Sequence, residues 1–188
     1  PKYILEPVAC GLNLIHQELP RIQQILDKNH PRVLILGSGF LSYIAYKSLY
    51  RLSAGKHVSI DVIGHSNKKL WENNGVRLLD APNQRYDLII DLVDNNIAIS
   101  GKHSKPNCLI IIGTDKKSLA FVKFEELLWN ACTIVFPSPR NIFFIESMKL
   151  AEKLITNETI SVDYFWTRSY NRDTQWQKAF EDSLNRKL

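Results

Sequence analysis

The chain has 188 residues, of which 45% are hydrophobic and 23% are charged, and it contains 8 Gly and 8 Pro. This composition excludes a disordered tail and a fibrous repeat, and the length suits one large globular domain. The net charge of +5 fits a phosphorylated ligand, nucleic acid or an ordinary basic surface, but the basic residues are spread along the chain, which speaks against nucleic acid.

The first predicted elements are helix, strand and helix. Apolar residues recur at helical spacing over 8–28, which predicts one helix or two helices separated at Pro20. Residues 32–36 form a continuous apolar run, typical of a strand covered on both faces in a parallel sheet. Gly37-Ser38-Gly39 follows at once and precedes a predicted helix to about residue 52, which is the pattern that opens a βαβ unit.

Strands and helices continue to alternate towards the C-terminus. We predict extended segments over residues 57–63, 76–79, 86–93, 108–112 and 132–136, and around 160–165. We predict helices over residues 66–74, 118–129, 141–156 and 175–185. This alternation predicts an α/β fold with a doubly wound parallel sheet, the Rossmann fold.

The cysteines and the apolar runs predict where the protein resides. Cys10, Cys108 and Cys132 are odd in number, flanked by apolar residues and spaced wrongly for zinc, so we expect reduced thiols in the cytoplasm. No apolar run reaches the ~20 residues that cross a bilayer, and the N-terminus lacks a signal-peptide profile, so we expect no membrane contact. Because the only methionine is Met148, we expect a trimmed initiator or a piece of a longer protein.

The motif Gly37-x-Gly39-x-x-Ser42 lies between a buried strand and a helix, where a dinucleotide-binding fingerprint belongs. Gly37 would permit the tight turn, and Gly39 would leave no side chain between the backbone and a pyrophosphate at the helix N-terminus. Ser42 takes the place of the usual third glycine, which predicts a slightly wider spacing between helix and strand. The alternative is a glycine turn without a ligand.

The end of the second strand predicts which nucleotide binds. NAD sites usually carry an acid there, about 20 residues after the glycines, for the ribose hydroxyls. Gly64 occupies that place, and His65, Ser66 and Lys68 offer hydrogen bonds and positive charge, which favours the 2′-phosphate of NADP. If the strand register is shifted by two residues, Asp61 becomes the ribose acid and NAD is preferred. For Lys68 the alternative is a solvated helix start.

Four further segments occur in a characteristic order: Glu6-Pro7-Val8-Ala9-Cys10, Tyr86-Asp87-Leu88-Ile89-Ile90-Asp91, Leu109-Ile110-Ile111-Ile112-Gly113 and Trp176-Gln177-Lys178-Ala179-Phe180. Together with the glycine motif they resemble the medium-chain dehydrogenase/reductase superfamily over almost the whole chain. Within it, two stretches are most similar to sugar-phosphate and polyol members such as the ribulose-5-phosphate reductases: Gly37-Ser38-Gly39-Phe40-Leu41-Ser42-Tyr43-Ile44 and Val62-Ile63-Gly64-His65.

The resemblance implies an enzyme of two domains, a GroES-like catalytic domain with the zinc ligands and a Rossmann domain with the cofactor. This chain is similar only to the second, so the zinc belongs to a domain that is absent. Glu6 is the one candidate for a metal-facing group, against the alternative of a capping or surface carboxylate. We expect residues 1–30 to be a helical lead-in continuous with the Rossmann domain at 31–157, and residues 158–188 to pack on the catalytic domain.

The resemblance also implies cofactor contacts at the ends of the later strands. The loop after Asp91 is expected to face the cofactor through Val93, and Asp94 stands where members usually have glycine, which places a carboxylate near the ribose or nicotinamide. Gly113 and Thr114 close the next strand at the carboxyl edge, where ligands bind in open α/β sheets. The expected cofactor set is Gly37, Ser38, Gly39, Phe40, Leu41, Gly64, His65, Ser66, Lys68, Asp91, Val93, Gly113 and Thr114.

The resemblance therefore implies the NADP(H)-binding domain of a zinc-type alcohol or polyol(-phosphate) oxidoreductase, in which hydride passes between nicotinamide and a substrate carbonyl. This fragment alone would bind the cofactor without catalysing the reaction. Family members pair the strand corresponding to residues 133–136 with its twin, which implies a homodimer. Two alternatives stay open: an S-adenosylmethionine-dependent methyltransferase, which would want an acid at Gly64, and a degenerate Rossmann module for assembly, which Ser42 and Asp94 would support.

Overall fold

The computed structural model describes residues 4–114, 124–138, 141–161 and 171–184, and strands alternate with helices along them. The strands are β1 (Arg32–Leu36), β2 (Ser59–Ile63), β3 (Leu78–Leu79), β4 (Tyr86–Asp91), β5 (Ser104–Ile112) and β6 (Thr133–Val135). The helices are α1 (Leu5–His16), α2 (Leu19–Leu26), α3 (Phe40–Leu52), α4 (Lys68–Asn73), α5 (Glu125–Trp129), α6 (Phe144–Thr156) and α7 (Arg172–Leu184), with a 3₁₀ turn at Ala98–Ser100.

The six strands form one parallel sheet in the order β3-β2-β1-β4-β5-β6, which confirms the predicted doubly wound Rossmann fold. The chain winds outward from β1 in one direction through β2 and β3, and then in the other through β4, β5 and β6. Leu36, the last residue of β1, pairs with Ile63 of β2 and with Asp91 of β4. The ends of these three strands therefore surround the point where the strand order reverses, which is where open α/β sheets bind ligands.

Alternate residues of the central strand enter two separate hydrophobic cores. Val33 and Ile35 of β1 pack in a core with helices α1, α3 and α6, whereas Leu34 and Leu36 pack on the opposite face of the sheet. All four side chains are fully buried. Burial on both faces explains why the strand is continuously apolar, and each such side chain contributes about 1.5–3 kcal/mol relative to an exposed one.

The lead-in helix α1 belongs to the first core because a glycine lets it approach α3 closely. A Cβ added to Gly11 would lie 2.8 Å from the Cβ of Ile44 on α3. A polar contact joins α1 to α6, since Ser147 Oγ shares a 2.9 Å hydrogen bond with Nδ1 of His16 and donates to Oδ1 of Asn13 at 3.4 Å. Burial lowers the pKa of His16, although the nearby Glu146 opposes the shift.

Several element boundaries differ from the predicted ones. Pro20 separates two helices because it stands in the first turn of α2, where its missing amide hydrogen costs nothing. Strand β3 is two residues long, and the last helix starts at Arg172 rather than at residue 175. Residues 115–123 and 162–170, which contain parts of the predicted helix over 118–129 and strand over 160–165, lie outside the described residues.

The described residues also bear on the thiols and on membrane contact. Cys10, Cys108 and Cys132 are all free thiols in the structure. Among the residues that the structure describes, no helix combines the length and apolar character needed to span a bilayer.

Candidate functional site

A cleft of about 610 Å³ opens where β1, β2 and β4 end. Most of the predicted cofactor residues line it, although they come from three separate parts of the sequence. We call it the carboxyl-edge cleft, and its lining consists of Gly37, Ser38, Gly39, Phe40, Leu41, Ser42, Ile63, Gly64, His65, Ser66, Leu92, Val93 and Asn95. The sheet topology thus brings the glycine turn together with the loops that follow β2 and β4.

Gly37 has a structural part in the cleft. Its φ of +111° is one that side chains rarely adopt, and a Cβ there would lie 2.9 Å from Ser42 Oγ and 3.1 Å from Val93 Cγ1. Its amide donates to the carbonyl of Ile63 at 2.8 Å, so this amide is committed to the sheet. Ser42 is buried and fits beneath the turn because Gly37 has no side chain.

Gly39 leaves the backbone open to the cleft. Apart from Gly39 and its two chain neighbours, no described residue has a heavy atom within 4 Å of the position that a Cβ on Gly39 would occupy. Gly39 is the N-cap of the 13-residue helix α3 and provides no side-chain cap. Because the first amides of a helix lack partners within it and carry the positive end of its dipole, this helix start is suited to an anion.

Ser38 fixes the glycine turn to the loop that follows β2. Its Oγ shares a 2.8 Å hydrogen bond with Ser66 Oγ and accepts the amide of Ser66 at 3.0 Å. Its carbonyl accepts Nδ2 of Asn67 at 3.1 Å and Nε1 of the fully buried Trp71 at 3.0 Å. Ser66, predicted as a phosphate ligand, is therefore engaged in holding the turn. Sequence reasoning missed Asn67 and Trp71, because no spacing rule connects them to the turn.

Gly64 cannot be replaced by an acid without displacing the glycine turn. A Cβ there would lie 2.8 Å from the backbone nitrogen of Ser38 and would also overlap the Ser38 side chain. Asp61 lies three residues earlier in β2, where its Oδ2 accepts the hydroxyl of Tyr86 at 2.9 Å and Nε2 of Gln84 at 2.7 Å. These bonds hold Asp61 away from the cleft. Asp61 is therefore not in the position of a ribose-binding acid, which was the alternative that would have favoured NAD.

The two basic residues after β2 have different positions. His65 lines the carboxyl-edge cleft, is largely exposed and forms an ion pair with Asp80 at 3.7 Å when protonated. Lys68 is the exposed first residue of α4 and is not among the residues that line the cleft. The left-handed backbone of Asn67, with a φ of 56°, turns the chain between them. Of the two, His65 is the better placed to meet a ligand in the cleft.

The end of β4 shapes the opposite wall of the cleft. Asp91 is fully buried, its Oδ1 accepts the amide of Val93 at 3.2 Å, and its carbonyl accepts the amide of Gly113 at 2.9 Å. Asp91 thus holds the loop in place, and Val93 lines the cleft. Asp94 is exposed, whereas its neighbour Asn95, which sequence reasoning missed, lines the cleft.

Gly113 and Thr114 line a second cavity of about 480 Å³, together with Cys10 and Phe136. Leu41 lines both this cavity and the carboxyl-edge cleft. A Cβ on Gly113 would lie 2.7 Å from Cδ2 of Leu92, so this glycine permits close packing at the strand end. The two cavities are thus adjacent along the carboxyl edge of the sheet.

Glu6 lies on the first turn of α1 and is exposed. In the parts of the chain that the structure describes, no group of three or more His, Cys, Asp and Glu side chains could hold a metal ion. The described residues therefore supply no metal centre around Glu6.

No protein-family model and no curated protein sequence matches this chain. Solved structures are similar to it, among them S. aureus TarJ in complex with NADPH, with 18% identity and a TM-score of 0.71 over 96% of this chain and 59% of TarJ. The E. coli CFT073 short chain alcohol dehydrogenase rspB, complexed with NADH, has 12% identity and a TM-score of 0.69 over 96% of this chain and 54% of that one.

A third similar structure is a proposed zinc-binding dehydrogenase of Sinorhizobium meliloti 1021 bound to NADP, with 15% identity and a TM-score of 0.62. The match covers 85% of this chain and 49% of the dehydrogenase chain. The chain therefore spans between about half and three fifths of the length of these proteins. At these identities the likeness establishes the fold.

Proposed function

We propose that this chain is the NADP(H)-binding domain of a medium-chain, zinc-type oxidoreductase. The observation that carries the proposal is the bare backbone of Gly39, which opens at the start of α3 into a cleft at the reversal point of the sheet. Three proteins of similar fold hold NADPH, NADH and NADP in their own structures, which supports a nicotinamide dinucleotide as the ligand.

The shape of the cleft fits such a dinucleotide. A side chain at residue 39 would fill the space that the structure leaves open, so the diphosphate would lie against Gly39 and the first amides of α3. The adenosine ribose would lie beside Gly64 and His65, where no carboxylate fits and a 2′-phosphate could accept hydrogen bonds. This arrangement favours NADP over NAD. The cofactor, when bound, supplies the hydride, and the protein holds and orients it.

We place the catalytic zinc and most substrate contacts on a second domain that this sequence does not include. The proposal rests on the sequence resemblance and on the 59% of TarJ that this chain covers. Residues 1–30 would then be a lead-in to the Rossmann domain at 31–157, and residues 158–188 would pack on the catalytic domain. A polyol phosphate or its ketose is the proposed substrate class, and this chain alone would bind without turnover.

We also propose that the protein is cytoplasmic and forms a homodimer through β6. This strand is at one edge of the described sheet, and large apolar side chains close to it in the sequence are exposed, namely Trp129, Phe136, Ile142 and Ile145. An apolar edge strand of this kind is stabilised when a second copy extends the sheet.

The proposal is tested by titrating the purified chain with NADPH, NADH and S-adenosylmethionine, with calorimetry as the readout. We expect NADPH to bind most tightly, NADH more weakly and S-adenosylmethionine not at all. Binding of S-adenosylmethionine alone would instead support a methyltransferase, and binding of none of the three would support an assembly module. The close contact between Gly64 and Ser38 leaves no room for an acidic side chain at residue 64, and it therefore speaks against a methyltransferase, which would need an acid at this position.

A further inference from the structure

Two of the three cysteines lie on neighbouring chain segments, Cys108 within β5 and Cys132 directly before β6. The parallel register pairs Leu109 with Thr133, so Cys108 and Cys132 immediately precede a paired position. On their other side, the amide of Asn107 donates to the carbonyl of Asn130 at 2.7 Å. The two cysteines therefore lie between two backbone contacts that join β5 to the segment leading into β6, namely the Asn107–Asn130 hydrogen bond and the Leu109–Thr133 pair. Cys108 is fully buried and Cys132 is half-buried against the same hydrophobic cluster.

A buried hydroxyl lies near the two thiols. Ser104, at the start of β5, is fully buried, and its Oγ makes no hydrogen bond with any described residue. Burial raises the pKa of both Cys108 and Cys132, and the Ser104 hydroxyl opposes this shift at each thiol. Buried polar groups without partners are rare and call for an explanation. A hydroxyl without a partner near the two sulfur atoms is available to donate to a thiolate formed at either cysteine.

We propose that Cys108 and Cys132 are a redox-active pair that forms a disulfide within one chain. Neighbouring strands lie about 4.7–4.9 Å apart, which is within the range of about 4.4–6.8 Å between the Cα atoms of disulfide-bonded cysteines. Both cysteines directly follow a residue with a left-handed backbone, Asn107 within β5 and Ala131 before β6, and both stand just before the first paired residues of the two strands. The side chains can thus approach without breaking the central ladder.

The oxidant that we assign is a small-molecule disulfide such as oxidised glutathione. The Cys132 thiolate, on the more accessible residue, attacks one sulfur of the oxidant, and a first thiol leaves. Cys108 then attacks the Cys132 sulfur, which forms the protein disulfide and releases a second thiol. Two cysteines are oxidised, one small disulfide is reduced, and the two cysteine protons pass to the released thiols. Because burial raises the pKa of Cys108 to about 12, the second step should be slow at neutral pH and faster in alkali.

The disulfide would close the loop between residues 108 and 132, which contains α5, and join β6 covalently to its neighbour β5. Such a link restricts the unfolded chain more than the folded one, so the oxidised protein should resist denaturation. This effect does not depend on any nucleotide, and therefore it can be tested separately from the proposed function.

The test is to incubate the native chain with oxidised glutathione at pH 7 and pH 9, and to map disulfides by mass spectrometry without reduction. We expect a peptide that links Cys108 to Cys132 within one chain, formed faster at pH 9. Cys10→Ser should leave the link unchanged, whereas Cys108→Ala and Cys132→Ala should each abolish it. A link to Cys10, a link between two chains, or glutathione adducts without the internal link would overturn the proposal.

A second measurement covers the case in which an alanine variant folds poorly. Oxidised Cys10→Ser protein should unfold at a higher urea concentration than its reduced form, and a reductant should reverse the difference. If the link forms only after the protein is unfolded in urea, or if the unfolding midpoints coincide, the proposal is wrong.

Discussion

Strand β4 carries an aspartate near each end, and the two aspartates are used in different ways. Asp87, near the amino edge of the sheet, accepts Nζ of Lys105 at 2.6 Å, Nζ of Lys28 at 3.3 Å and the amide of Arg32 at 3.0 Å. Asp91, at the carboxyl edge, accepts the amide of Val93 and thereby shapes a wall of the carboxyl-edge cleft. The Asp87 carboxylate is paired with lysine side chains at the amino edge, whereas the Asp91 carboxylate positions the loop that lines the cleft.

This difference indicates that the amino edge of the sheet contributes to the stability of the fold, whereas the carboxyl edge is arranged for ligand binding. At the amino edge, Asp87 has positive partners from β5 and from the segment before β1, so charge is neutralised within the chain. At the carboxyl edge, Ser38 fixes the glycine turn from behind, while the backbone of Gly39 stays open towards the cleft. Changes at the first edge should therefore affect folding, and changes at the second should affect ligand affinity.

The largest effect on stability is expected from Asp87→Ala. The substitution removes the acceptor for three donors and leaves Lys28 and Lys105 without their carboxylate, at a cost of about 2–3 kcal/mol in the free energy of unfolding. Urea denaturation measures this cost. As a control, Asp27→Ala removes the more exposed ion pair with Lys56 and should cost less than about 1 kcal/mol. Equal losses in the two variants would contradict the proposed role of Asp87.

The same carboxylate predicts an acid dependence of stability. Burial by itself would raise the pKa of Asp87, but the bonds from Lys105, the Arg32 amide and Lys28 outweigh burial and hold the pKa below its usual value. Its stabilisation is therefore complete above the unfolded-state pKa of about 3.9 and is lost as pH falls below it. The difference in urea midpoint between wild type and Asp87→Asn should shrink from pH 7 to pH 3. A difference that stays constant would show that another group is responsible.

A smaller effect is expected from Trp71→Phe at the carboxyl edge. The change removes the Nε1 donor to the Ser38 carbonyl and some buried volume, which should cost about 1–2 kcal/mol of stability. The loosened turn should also weaken NADPH binding by about 3–10-fold. Trp176→Phe, at an exposed tryptophan of α7, is the control and should change neither quantity. If the folded Trp71→Phe variant binds NADPH with unaltered affinity, the hydrogen bond from Trp71 to the Ser38 carbonyl is not needed for binding.

The smallest effect is expected from His65→Ala, which tests the cofactor preference. His65 lines the cleft but is largely exposed, so its loss should weaken NADPH binding by about 2–5-fold and leave NADH binding unchanged. Calorimetric titrations at low salt give both values, and His57→Ala, at an exposed histidine before β2, provides the control. Equal weakening for both cofactors would remove the argument for a 2′-phosphate at this residue.

The sequence predicted those parts of the site that depend on neighbours along the chain. A buried strand, a glycine turn and a helix are consecutive, so the positions of Gly37 and Gly39 followed from their order. The bonds of Ser38 to Ser66, Asn67 and Trp71 span 28 to 33 residues, and no spacing rule specifies them. Whether Asp61 or Gly64 lies beside the adenosine ribose depends on where β2 ends and on the contact of Gly64 with Ser38. Both are properties of the folded chain that the sequence pattern does not specify.

The central claim is that the open backbone at Gly39 receives the diphosphate of NADPH, and Gly39→Val tests it most directly. With φ of −84° and ψ of −167°, valine is permitted at this position, and its side chain would enter the open space of the cleft. We expect the variant to unfold like the wild type in urea and to lose at least about 100-fold in NADPH affinity by calorimetry. The control Ala54→Val, in the turn just after the far end of α3, should retain full affinity. A folded Gly39→Val protein that binds NADPH as tightly as the wild type would contradict the claim.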